Sequence, residues 1–76
     1  MKTLKNITLA DFRRYLLSVG CELTRTNGGH EIWTRKGLTR PIMLQSHIDP
    51  VPEFIIKKLL GTLGVSKKDF FNELNK

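Results

Sequence analysis

A chain of 76 residues, 39% apolar and 26% charged, bounds one globular domain with a small core; it excludes a disordered tail and an elaborate multi-element active site. Thirteen Lys and Arg against seven Asp and Glu leave a net charge of +6, which favours a polyanionic partner such as nucleic acid, plain solubility being the alternative. No apolar run is long enough to cross a membrane, the start Met1–Asn6 lacks the apolar centre of a signal peptide, and the single Cys21 excludes an internal disulfide and a multi-thiolate zinc site, so a reducing cytoplasmic setting is expected.

Residues 7–20 read as a helix. Thr8 followed three residues later by Asp11 has the grammar of a capping box, with Ile7 as the apolar staple. Leu9, Phe12, Leu16 and Val19 recur at helical spacing, and Gly20 is a natural stop. Residues 21–26 and 30–35 then read as a β-hairpin about Asn27-Gly28, because a type I′ turn needs positive φ at two residues and this pair tolerates it. Lys36-Gly37-Leu38-Thr39 reads as a second turn and Arg40 to His47 as a third strand, with Pro41 favouring an edge. After the connector Ile48–Val51, Pro52 and Glu53 suit the start of a second helix with the stripe Ile56, Leu59, Leu60 and Leu63. Glu53 and Lys57 are spaced for an ion pair. Gly64 ends that helix, and Ser66 with Asp69 repeats the start signal for a last short helix burying Phe70, Phe71 and Leu74.

The order is αβββαα, an α+β domain with a three-stranded antiparallel sheet and helices on one face. If neither hairpin carries a bulge, Arg25 pairs with His30, Arg35 with Arg40, and His30 with Gln45. Side-chain alternation then puts Leu23, Arg25, His30, Ile32, Met43, Gln45 and His47 on one face, with Leu23, Ile32 and Met43 against the helices. The other face carries Trp33, Ile42 and Leu44 amid charges, an apolar strip that reads as a partner surface; a one-residue error would make it the core instead.

The turn end of the first face gathers Arg25, His30, Gln45 and His47. An imidazole titrates near neutral pH, so His30 can take the proton of an RNA 2′-hydroxyl whose oxygen attacks the adjacent phosphorus. Arg25 can stabilise the charge that builds on phosphoryl oxygens. Gly29, without a side chain, leaves His30 open to another molecule's backbone. His47, Arg25 and Gln45 are the candidate accessory residues, and His47 also reads as a structural strand-end residue. Arg25, Arg35, Lys36, Lys57 and Lys58 are the candidate RNA contacts. No metal or cofactor is called for, because two histidines without a carboxylate cluster make a poor metal site.

Three runs carry a resemblance. Phe12-Arg13-Arg14-Tyr15-Leu16-Leu17-Ser18-Val19-Gly20-Cys21, Gly29-His30-Glu31-Ile32-Trp33, and Phe54 to Leu60 continuing through Gly64 to Phe71 are similar in order and spacing to the HicA toxins, the YcfA-like family. The resemblance spans nearly the whole chain. It implies a double-stranded-RNA-binding-domain-like fold, an endoribonuclease acting on messenger RNA, a HicB-type antitoxin as protein partner, and His30 as the catalytic histidine. It also implies that Trp33, Ile42 and Leu44 are the antitoxin contacts, if the apolar strip is the partner surface. The family usually carries serine where this chain has Gly29, and its later histidine corresponds to His47 less closely. The competing expectation is a module of the same fold that binds structured RNA through phosphate and 2′-hydroxyl contacts without cutting it. A DNA-binding adaptor is disfavoured, since neither a helix-turn-helix nor a zinc signature appears.

Overall fold

Thr8 and Ser66 open their helices in the same way. In the computed structural model, which describes residues 3–75, the Thr8 hydroxyl accepts from the Asp11 amide at 3.1 Å and the Ser66 hydroxyl from the Asp69 amide at 3.0 Å. Each satisfies an amide that a helix start leaves without an intrahelical partner. Met1 and Lys2, part of the polar start of the chain, lie outside the described residues. The helices are α1 (Leu9–Ser18), α2 (Glu53–Leu63) and α3 (Lys67–Leu74). Gly64 ends α2 at φ +74°, a conformation that costs a residue with a Cβ. The Glu53–Lys57 ion pair is not made, whereas Arg13–Glu31 and Arg14–Asp11 are.

Between α1 and α2 the chain forms β1 (Glu22–Asn27), β2 (His30–Thr34) and β3 (Ile42–Gln45), an antiparallel sheet in the order β1-β2-β3. The element order is αβββαα, as the sequence pattern predicts. The β2–β3 register also follows expectation, with His30 opposite Gln45 and Trp33 opposite Ile42. β3 is shorter than expected, and the ladder ends before Arg35 and Arg40.

The first hairpin differs. Its ladder closes on Asn27 opposite His30, so Gly28 and Gly29 form the turn. Only Gly28 has a positive φ, +61°, so the type I′ turn about Asn27-Gly28 is not formed. Arg25 faces Ile32 rather than His30, and an irregularity between Leu23 and Arg25 moves Leu23 opposite Trp33. A bulge of this kind turns the residues beyond it to the other face.

The expected assignment of faces is reversed. Trp33 (3% exposed), Ile42 and Leu44 are buried beneath the helices, whereas Met43 (49%) is exposed and Ile32 half-buried on the other face; Leu23, opposite Trp33, keeps to the Trp33 side but is 46% exposed. Trp33, Ile42 and Leu44 are therefore core residues, not an antitoxin surface. The helices cover the face that offers an indole and two branched aliphatics, the larger apolar area. One charge stood against burying that face, and α1 neutralises it. Arg13 donates from Nε to both Glu31 oxygens at 3.1 Å, and Trp33 Nε1 donates to Glu31 Oε1 at 3.1 Å.

The helices meet around aromatic rings. Phe12 and Phe70 have centroids 5.8 Å apart, and Tyr15 meets Phe70 edge-on at 4.6 Å. Arg14 Nη1 donates to the Leu74 carbonyl at 3.1 Å and fastens the end of α3 to α1. Cys21 is buried, which pushes its thiol pKa up and makes it a core group rather than a nucleophile. No helix among the described residues is long and apolar enough to cross a membrane.

Candidate active site at the hairpin end

His30 is the first residue of β2, so its backbone is fixed by pairing on both sides, to Asn27 and to Gln45. Its half-buried side chain points to the sheet face that the helices leave open. It also lines a cleft of about 180 Å³ between β3 and the start of α2, with Met43, Gln45, Ile48, Pro52 and Ile55 among its walls and the core residues Leu9, Leu44 and Val51 reaching it. The connector after β3 builds one side of this cleft. It is tied to the start of α1, because Val51 N donates to the Ile7 carbonyl at 2.8 Å and Leu9 N donates to Asp49 Oδ1 at 3.0 Å.

Arg25 is exposed on the same sheet face. It stands opposite Ile32, which makes it a diagonal neighbour of His30 at roughly 7–8 Å between backbones. A long guanidinium side chain can reach across that gap. Gln45 lies directly opposite His30 and lines the same cleft. The structure thus brings together His30, Arg25 and Gln45, three of the four residues expected at this end.

His47 takes a different place. Its ring packs against Gly29, with Nδ1 2.7 Å from where a Cβ on residue 29 would lie, and it is exposed and absent from the lining of the His30 cleft. Ser46 donates to the Gly29 carbonyl from its amide at 2.8 Å and from its hydroxyl at 3.1 Å. The bare Gly29 thus receives the far end of β3, not an incoming molecule.

The basic residues also divide. Arg35 is half-buried and donates from Nη1 to the Val19 carbonyl at 3.0 Å, which engages its charge at the C-terminal end of α1. Lys36 sits in the β2–β3 turn, at the opposite end of the sheet from His30. Lys58 lines a second depression of about 260 Å³ with Arg40, Pro41, Met43, Ile55, Leu59 and Thr62. Lys57 is exposed on α2 but outside both linings.

Sequence reasoning missed the walls of the cleft. Pro52 and Ile55 lie one turn apart on a flank of α2 beside the core stripe, and Met43 alternates with Ile42 and Leu44. With those two pointing inward, Met43 has to point out. Glu31 is the other missed residue, held below its usual carboxylate range by the hydrogen bonds from Arg13, with the Trp33 indole adding to the effect. Among the described residues, no three His, Cys, Asp or Glu side chains gather as a metal site. Compared with family models, curated proteins and solved structures, the chain matches none of them.

Proposed function

We propose that this chain is an endoribonuclease that cleaves messenger RNA without a metal ion, with His30 as general base, acting as a toxin of the HicA type on a double-stranded-RNA-binding-domain-like fold. The observation that carries the reading is the setting of His30: a half-buried imidazole on a doubly paired strand, opening into a cleft, with an exposed arginine diagonal to it. In this mechanism the imidazole takes the 2′-hydroxyl proton, and the 2′-oxygen forms a bond to phosphorus. The bond from phosphorus to the 5′-oxygen breaks, that oxygen takes a proton from water, and a 2′,3′-cyclic phosphate remains. Arg25 supplies positive charge for the phosphoryl oxygens, where preorganised charge lowers the barrier most. Gln45 orients the imidazole or the phosphate from the facing strand. A HicB-type antitoxin would then inhibit by covering the His30 cleft on the open sheet face.

The test is His30→Ala on a single-stranded oligoribonucleotide. Cleavage should vanish while the thermal midpoint stays close to that of the wild type, since such partly exposed positions seldom cost more than about 1 kcal/mol. Wild-type cleavage should continue in a chelator, leave cyclic phosphate ends, and stop when the cut nucleotide is 2′-deoxy. A folded His30→Ala protein that still cuts would remove this residue from the chemistry. RNA binding by a wild-type protein that never cuts would favour the non-catalytic module.

A further inference from the structure

The geometry points to the groove between β3 and α2 as the seat of a single-stranded RNA segment that ends at His30. The proposal takes its direction from the nuclease reading of His30, whereas its binding part stands apart from that chemistry.

The depressions lined by His30 and by Lys58 share Met43 and Ile55, so they are halves of one groove along β3. From Arg40 to Gln45 it runs about 17 Å at the usual rise of a strand, enough for a few nucleotides. Its floor is apolar, with Met43 half-exposed and Ile55 partly so. Arg40 and Lys58 stand at one end and His30 at the other, and no Asp or Glu lines either half. Phe54 lines neither depression, but it is 71% exposed on α2 one helical turn before Lys58, so the two side chains are neighbours beside the groove.

An apolar floor, an exposed aromatic ring beside it, and the two cations Arg40 and Lys58 with no carboxylate in either lining fit a strand whose bases are unstacked. Bases then lie on apolar and aromatic side chains while phosphates meet the cations. A duplex hides its base faces and offers only phosphates and 2′-hydroxyls, so it has no use for such a floor. The chemistry asks for the same substrate. In-line attack needs the 2′-oxygen, phosphorus and 5′-oxygen nearly collinear, which a regular A-form backbone does not allow and a splayed strand does.

The test uses the full chain and an end-labelled oligoribonucleotide, single-stranded or annealed to its complement, with His30→Ala protein keeping the RNA whole. The single strand should bind about tenfold or more tighter than the duplex. Arg40→Ala combined with Lys58→Ala should flatten the slope of log affinity against log salt by about 1.4, roughly 0.7 for each phosphate that no longer meets a cation on a single strand. Lys67→Ala combined with Lys68→Ala, exposed on α3, removes the same charge and should leave the slope as it was. Phe54→Ala should weaken single-strand binding and abolish ultraviolet cross-linking of bases to α2. Equal affinity for duplex, or an Arg40/Lys58 variant indistinguishable from the Lys67/Lys68 variant, overturns the proposal. Groove variants that bind RNA normally but escape inhibition by a partner protein assign the groove to that protein and overturn it as well. A wild-type protein that holds single strands in the groove without cutting them sinks the nuclease reading alone.

Discussion

His47 and Gly29 share one volume: His47 Nδ1 lies 2.7 Å, and Cε1 3.1 Å, from the point a Cβ on residue 29 would occupy. A side chain there requires the imidazole to sit elsewhere. Because His47 is exposed, its ring can swing out, and Gly29 has no positive φ to strain a larger residue. Gly29→Ala should therefore leave stability within about 0.5–1 kcal/mol of the wild type, the displacement of the ring being offset by a less flexible unfolded chain. Ring resonances of His47 should shift in that variant. If His47 assists cleavage, Gly29→Ala and His47→Ala should lower the rate alike, and the double variant no further. A loss of about 2 kcal/mol or more in thermal unfolding, the size of a core defect, would mean that His47 is pinned.

Trp33 reports which face is the core. Its emission should be blue-shifted in the free protein and resist acrylamide, since the indole is buried and its Nε1 is bonded to Glu31. Trp33→Ala should cost about 3–5 kcal/mol, which would leave a domain this small largely unfolded. Red-shifted, readily quenched emission would restore the open-face assignment.

Acid should weaken the fold through Glu31. Hydrogen bonds from Arg13, then the Trp33 indole, hold its pKa below the ordinary value of 4.5. A depressed carboxylate contributes its full stabilisation above the unfolded pKa and loses it as pH falls through the folded one. Glu31→Gln should thus lower stability at neutral pH by about 1–3 kcal/mol and flatten the acid limb of a denaturation series. Parallel acid limbs in variant and wild type would count against this pairing.

RNA affinity should fall steeply with salt, because each phosphate contact releases counterions. Arg25→Ala should flatten that dependence, as its exposed side chain shares the sheet face of His30, diagonal to it. Arg35→Ala should instead lower the thermal midpoint, since that guanidinium is engaged by the Val19 carbonyl. An affinity indifferent to salt would remove backbone binding as the purpose of the +6 charge.

The helices were legible because their signals are local. Thr8, Ser66 and Gly64 act within a few residues of themselves, and the structure uses each as its chemistry suggests. The β2–β3 register was legible for a similar reason, through the Lys36-Gly37 turn. The sheet faces were not. Ile32 and Met43 compete with Trp33, Ile42 and Leu44 for burial, and the decision depends on Arg13, eighteen positions from Glu31, arriving to neutralise its charge. The bulge below Arg25 added to the error by putting Leu23 out of step with the rest of β1. Of the site, the neighbourhood of His30, Arg25 and Gln45 was readable from alternation, whereas the position of His47 depended on a gap at Gly29 that only the folded chain creates.

β1 is exposed at all six of its positions and, among the described residues, pairs with β2 alone. It contributes ladder hydrogen bonds but little buried surface, so resistance to opening is spread unevenly through the domain. Local opening is cheapest where burial is least. In native-state hydrogen exchange, β1 amides should therefore exchange well before those of β2 bonded to β3, and the hairpin can peel from one side without the core melting. His30 stays seated through such an excursion, because its strand is held from the other side by Gln45 and from beneath by Trp33. The catalytic candidate is thus rooted in the slow half of the sheet, and Arg25 in the fast one.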